Sequence, residues 1–122
     1  MMTLMQKAVF LVGIIILLGS CQKEYLVPAR EVPGWLKERI AADEQVIQED
    51  PTLMAGYGAW KRYEFRGDMY YEYINLLSSK YPDTFNENGQ AVNTVDGSCQ
   101  EYWDEKCCGT YIWKAPGYQG IP

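Results

Sequence analysis

The chain of 122 residues contains no histidine. That absence removes the side chain used most often as a general base near neutral pH and as a zinc ligand. A serine or cysteine nucleophile would lack its usual partner, and Ser78, Ser79 and Ser98 stand in loop-like segments without a nucleophile motif. Basic residues are also scarce, with 11 Lys and Arg against 16 Asp and Glu and a formal charge of −5. This balance argues against nucleic acid, whose phosphates demand a basic surface. The sequence has no glycine-rich phosphate loop, no internal repeat and no low-complexity tract. Sixteen acids make chance carboxylate pairs common in so short a chain, so a hydrolase built on two carboxylates ranks third among the readings below. No enzyme is expected.

Long apolar runs are lacking as well, except at the start. Ala8 to Leu18 is almost wholly apolar, yet it falls short of the ~20 residues that span a bilayer. Lys7 precedes it, and the small residues Gly19 and Ser20 follow it. Positive charge, short apolar core and small residues are the three parts of an export signal. A core helix would need a polar face, which Val9 to Leu18 does not have. Leu18-Gly19-Ser20-Cys21 resembles the lipobox of bacterial lipoproteins. The resemblance implies cleavage between Ser20 and Cys21, a diacylglycerol on the Cys21 thiol and an acyl chain, such as palmitate, on the new amino group. Each buried methylene contributes about 0.8 kcal/mol, so two or three chains give a lasting membrane anchor. Beyond that covalent lipid, no cofactor is expected.

Residues 1–20 are thus expected to be a signal peptide. Their removal leaves 10 Lys and Arg against 16 Asp and Glu, a formal charge of −6. Residues 21–32 carry charges and a proline and read as a lipidated tether. Gln22 differs from the aspartate of inner-membrane retention signals, while Lys23 and Glu24 resemble the export signals of Bacteroidota-type surface lipoproteins. The expected address is the cell envelope, at the outer membrane.

Three cysteines remain: Cys99, Cys107 and Cys108. In an oxidising compartment they are disulfide candidates. Cys99 with either Cys107 or Cys108 would close a short loop and leave one thiol over, whereas a bond between the adjacent Cys107 and Cys108 would be strained. A zinc site is disfavoured, because three thiols lack a fourth soft ligand and the chain has no histidine.

Residues 33–115 form the single small domain, expected as α+β: one N-terminal helix packed on an antiparallel sheet of three or four strands. Pro33 suits a helix start, Leu36, Ile40 and Ile47 share a face with Val46 beside them, and Pro51 ends the helix. "WKRYEF", "RGD" and "MYYEYINLL" describe a β-hairpin turning at Arg66-Gly67 or Gly67-Asp68. Either register places Lys61, Tyr63 and Phe65 with Tyr70, Glu72 and Ile74. Trp60, Arg62, Glu64, Met69, Tyr71 and Tyr73 then fall on the other face. Arg66-Gly67-Asp68 also matches an adhesion tripeptide, but a charged glycine turn needs no such role. A short strand, Gln90 to Val95, sits among turns. An acidic turn or short helix follows, then a last strand at Thr110 to Lys114, and residues 116–122 read as a frayed tail.

Two features invite a binding role. Trp60, Tyr71 and Tyr73 at alternating spacing form a candidate aromatic face for sugar rings, with core filling as the plainer account. Asp83, Asn86 and Asn88 lie in a segment resembling an oxygen-rich calcium loop, but Thr84 and Val95 stand where its strongest ligands belong. The chain also resembles a group of uncharacterised small lipoprotein domains of Bacteroidota, through Tyr63, Phe65, Gly67, Tyr70, Tyr71, Asn88 and Gly89. More loosely, it resembles small inhibitor-like and assembly-factor domains of envelope lipoproteins. The leading expectation is a non-catalytic module that binds another envelope protein. The alternative is a surface lipoprotein that binds a glycan or small ligand through its aromatic face.

Overall fold

A computed structural model describes residues 25–94 and 99–119. The fold is α+β, one main helix on a five-stranded antiparallel sheet. Helix α1 spans Gly34–Glu49, with Pro33 at its N-cap and Asp50 at its C-cap just before Pro51. Leu36 and Ile40 are fully buried beneath it, Ile47 is partly buried against the same core, and Val46 turns outward. Burying a large aliphatic side chain contributes about 1.5–3 kcal/mol, so Leu36 and Ile40 secure the helix to the sheet. Among the described residues, no helix is long and apolar enough to cross a membrane.

Strands β1 (Gly58–Phe65) and β2 (Asp68–Asn75) form the hairpin. Phe65 pairs with Asp68, so Arg66 and Gly67 occupy the turn. Both have positive φ, +52° and +85°, the backbone of a type I′ turn, whose twist matches that of paired strands. Trp60 lies opposite Tyr73 and Arg62 opposite Tyr71, which gives the two faces read from the sequence.

Strands β3 (Asp83–Phe85) and β4 (Ala91–Val92) form a second hairpin beside β2. The sequence indicated only the second of these, and over a longer range. Asp-Thr-Phe is too short to reveal alternation, and the strand forms because Thr84 and Phe85 are buried against β2. Helix α2 (Gln100–Glu105) leads into β5 (Cys107–Lys114), which returns to the far side of β1. The sheet order is β4-β3-β2-β1-β5.

Strand β5 pairs irregularly with β1. Trp60 pairs with Trp113 while Lys61 pairs with Tyr111, which leaves Ile112 as an extra residue. An extra residue re-aims the side chains around it, and here the neighbours Ile112 and Trp113 are both buried. A second irregularity lies between Arg62 and Glu64, opposite Thr110 and Cys107.

Both ends of the described chain depart from expectation. The tether assigned to residues 21–32 is not free over residues 25–32: Val32 belongs to the core, Tyr25 and Val27 pack against it, and the Leu26 amide donates to the Ile112 carbonyl on β5 at 2.8 Å. The tail assigned to residues 116–122 is docked over residues 116–119. Tyr118 is 3 % exposed, and its hydroxyl lies 2.9 Å from that of Tyr111. An apolar side chain with a place in the core overrides a proline-rich local pattern in each case. The expected signal peptide, Ser20 and Cys21 lie outside the described residues.

Candidate functional site

The aromatic face expected to bind sugar rings is the one that α1 covers. Trp60 is 2 % exposed, Tyr71 4 %, and Tyr73 is half-buried. Trp35 of α1 meets Trp60 and Tyr71 edge-on, with ring centroids 6.0 and 5.6 Å apart. Phe85 closes the cluster 5.5 Å from Trp60. Trp60 and Tyr71 therefore fill the core, because α1 needs an apolar surface and this face supplies it.

One edge of this cluster stays open. Between α1 and strands β2 and β3 lies a concavity of about 410 Å³, lined by Arg39, Asp43, Trp60, Tyr73, Asp83 and Phe85. Helix α1 projects Arg39 and Asp43 one turn apart, since residues i and i+4 share a face. The Arg39 guanidinium lies over the Phe85 ring at 4.4 Å. Burial raises the Asp43 pKa, partly opposed by the Arg39 charge. Burial likewise raises the Tyr73 pKa, so its hydroxyl stays protonated. That hydroxyl accepts a hydrogen bond from the Asn75 amide at 3.1 Å. Trp60 Nε1 is buried and has no hydrogen-bond partner among the described residues, a costly condition for a donor. The concavity thus combines aromatic walls, a guanidinium and two carboxylates. Sequence reasoning named Trp60 and Tyr73 but missed Arg39 and Asp43 of α1 and Phe85 of β3, because nothing local shows that this helix face and this strand meet.

The opposite face holds a buried ion pair. Glu72 is 1 % exposed, and its carboxylate accepts hydrogen bonds from the Tyr102 hydroxyl at 2.6 Å and the Lys106 ammonium at 2.7 Å. The ammonium also lies 3.9 Å above the Tyr63 ring and 4.0 Å from that of Trp103. Burial raises the Tyr102 pKa, and the Glu72 carboxylate that accepts its proton raises it further. Lys61 faces Glu72 from β1. Through Tyr102 and Lys106 the network joins α2 to the sheet.

The remaining candidates have structural settings. Arg66 of the Arg-Gly-Asp turn pairs with Glu101 at 2.7 Å and Glu105 at 2.8 Å, both on α2. Asn86 Oδ1 accepts the amides of Asn88 and Gln90, and Gly89 has a φ of +80°. The segment expected to resemble a calcium loop is therefore a tight turn whose Asn86 oxygen is spent on the backbone, while Asp83 belongs to the concavity. No disulfide joins Cys99, Cys107 and Cys108. Between Cys99 and Cys107 stands α2, six residues or about 9 Å of helix, beyond the ~7 Å Cα separation that a disulfide tolerates.

No protein-family model matches the chain, and neither a curated protein nor a solved structure is similar to it. Its function must be read from its own residues.

Proposed function

We propose that this protein is a lipid-anchored cell-envelope module, held at the outer membrane through acyl chains on Cys21, that binds a small hydroxylated ligand without catalysis. The observation that carries the binding reading is the concavity at the edge of the aromatic cluster. Sugar rings offer an apolar face to aromatic side chains and a rim of hydroxyls to charged groups. Tyr73 and Phe85 supply the first surface; Arg39 as donor and Asp43 and Asp83 as acceptors supply the second.

Tryptophan fluorescence titration with a panel of neutral mono- and oligosaccharides tests this reading. A saturable change is expected with at least one sugar. Arg39→Gln or Asp83→Asn should weaken it roughly 2- to 12-fold, the equivalent of about 0.5–1.5 kcal/mol for a lost hydrogen bond. Trp60→Ala is a poor probe because it also opens the core. A flat response across the panel would remove the glycan reading.

A second reading, docking to another envelope protein, is favoured by the exposed side chains of Leu53, Met54, Leu76 and Leu77 at one end of the first hairpin. The Asn75 side chain donates to the Met54 carbonyl, and so holds the two segments together. Grouped apolar exposure of this kind marks interaction surfaces. Crosslinking in native membranes should then capture one recurrent partner, and paired Leu53→Ser and Leu77→Ser substitutions should abolish the capture. Unchanged capture by that double variant would place the interface elsewhere.

A further inference from the structure

In a regular strand, neighbouring side chains point to opposite faces. Cys107 and Cys108 break that rule. Where Arg62 pairs with Thr110, regular pairing would bring Cys108 opposite Glu64, yet Cys107 stands there. One extra residue is therefore inserted in β5. Cys108 takes it up with a φ of +65°, an uncommon conformation for any residue but glycine. The following Gly109 is also constrained: a Cβ there would lie 2.7 Å from the Tyr63 ring and 2.9 Å from Lys61 Cε.

The consequence is convergence. The two sulfurs and a Glu64 carboxylate oxygen all lie within 4.8 Å of one another. Both cysteines are exposed and Glu64 is half-buried, so the group opens to solvent.

We propose that Glu64, Cys107 and Cys108 form an open three-ligand site for a thiophilic divalent cation of the zinc type. Two thiolates supply the soft ligands, and the carboxylate favours a borderline ion such as Zn(II) over the purely sulfur-seeking Cu(I). In a tetrahedral site with Zn–S bonds of about 2.3 Å, the sulfurs stand about 3.8 Å apart. The present spacing, nowhere above 4.8 Å, lies within reach of that value by side-chain rotation at these exposed positions. The fourth position is left to water or to an outside ligand, as in zinc sites that keep an open coordination place. The want of a fourth soft ligand, which argued against zinc on the sequence alone, excludes only a closed four-ligand site. The bulge gives the site its logic, because it spends backbone strain at the one point where two adjacent thiols must face the same way.

The test is titration of the metal-free, detergent-solubilised full-length chain with Zn(II), kept reduced by a phosphine. Cd(II) is titrated in parallel and read by its thiolate charge-transfer absorption. One equivalent is expected to bind with both thiolates engaged. Loss of a group that merely supports a metal ligand costs roughly 10- to 100-fold in affinity, so Cys107→Ser and Cys108→Ser should each exceed that. Glu64→Gln, which keeps the side-chain shape, should weaken Zn(II) while sparing the Cd(II) thiolate band. Cys99→Ser should leave both signals unchanged, and any contribution from Cys21 is common to all variants. Circular dichroism confirms that each variant is folded, as expected for exposed positions. Absence of stoichiometric binding, or binding that survives Cys107→Ser, would overturn the proposal, as would tighter binding of Cu(I) that ignores Glu64→Gln.

Discussion

Glu72 shows how a single residue can hold two layers together. A buried carboxylate is costly unless it is paired and hydrogen-bonded, and this one has both Tyr102 and Lys106. Removing one partner of a buried pair typically costs about 3–5 kcal/mol, since the other charge is left uncompensated. Lys106→Met should accordingly lower stability by about 3 kcal/mol in urea denaturation, and a loss below about 1 kcal/mol would show that the pair is dispensable. Asp43 offers a pH test. Burial raises its folded pKa above the ordinary value of 3.8, so the folded chain holds that proton more tightly than the unfolded chain. Stability then falls as pH rises from 3.8 through the raised pKa, and a constant cost remains above it. Asp43→Asn removes this cost. The variant should melt higher than the native chain at neutral pH, and the two should converge near ~pH 3, where both side chains are neutral. A gap that persists in acid would refute the electrostatic cause.

At the scale of elements, local chemistry and long-range packing divide the work unevenly. The first hairpin is locally specified. Aromatic residues are dense on both strands, and the turn lies at Arg66-Gly67, where the strands meet in register. A Cβ at Gly67 would meet no atom within 4 Å, so any penalty for adding one is conformational. Gly67→Ala should therefore cost about 1–2 kcal/mol through φ alone, measurable as a fall in melting temperature without a change in ligand or metal binding. An unchanged melting temperature would mean that the turn can refold into another type. The second hairpin is specified from outside. Its short strands Asp83–Phe85 and Ala91–Val92 exist because β2 offers an unpaired edge and a pocket for Phe85. The irregular β5 is similar: no sequence pattern announces that Ile112 and Trp113, adjacent in the chain, both turn inward, or that Cys107 and Cys108 face together.

At the scale of the whole molecule, the position of residue 25 has a mechanical meaning. Residues 25–32 belong to the domain, so the stretch from Cys21 to Tyr25 covers four residue steps, at most about 14 Å of extended chain. A lipid on Cys21 would therefore hold the β5 side of the sheet close to the bilayer, rather than on a long tether. The full chain should incorporate labelled fatty acid, whereas Cys21→Ser should not. Equal labelling of the two would contradict the anchor.

What the sequence determined by itself was local. Pro33 and Pro51 bracket the helix, Leu36 and Ile40 set its buried stripe, and the alternation about Gly67 defines two faces of a hairpin, because these signals act through backbone geometry within a few residues. Tertiary structure decided the rest. Which hairpin face α1 would cover made Trp60 and Tyr71 core rather than binding surface, and vacant places in that core drew in Val32. Tyr118 was drawn in from the tail in the same way. The convergence of Arg39, Asp43 and Asp83, and that of Glu64 with Cys107 and Cys108, depends on distances between elements far apart in the chain. Burial and pairing across such distances are collective, and no local pattern of residues encodes them.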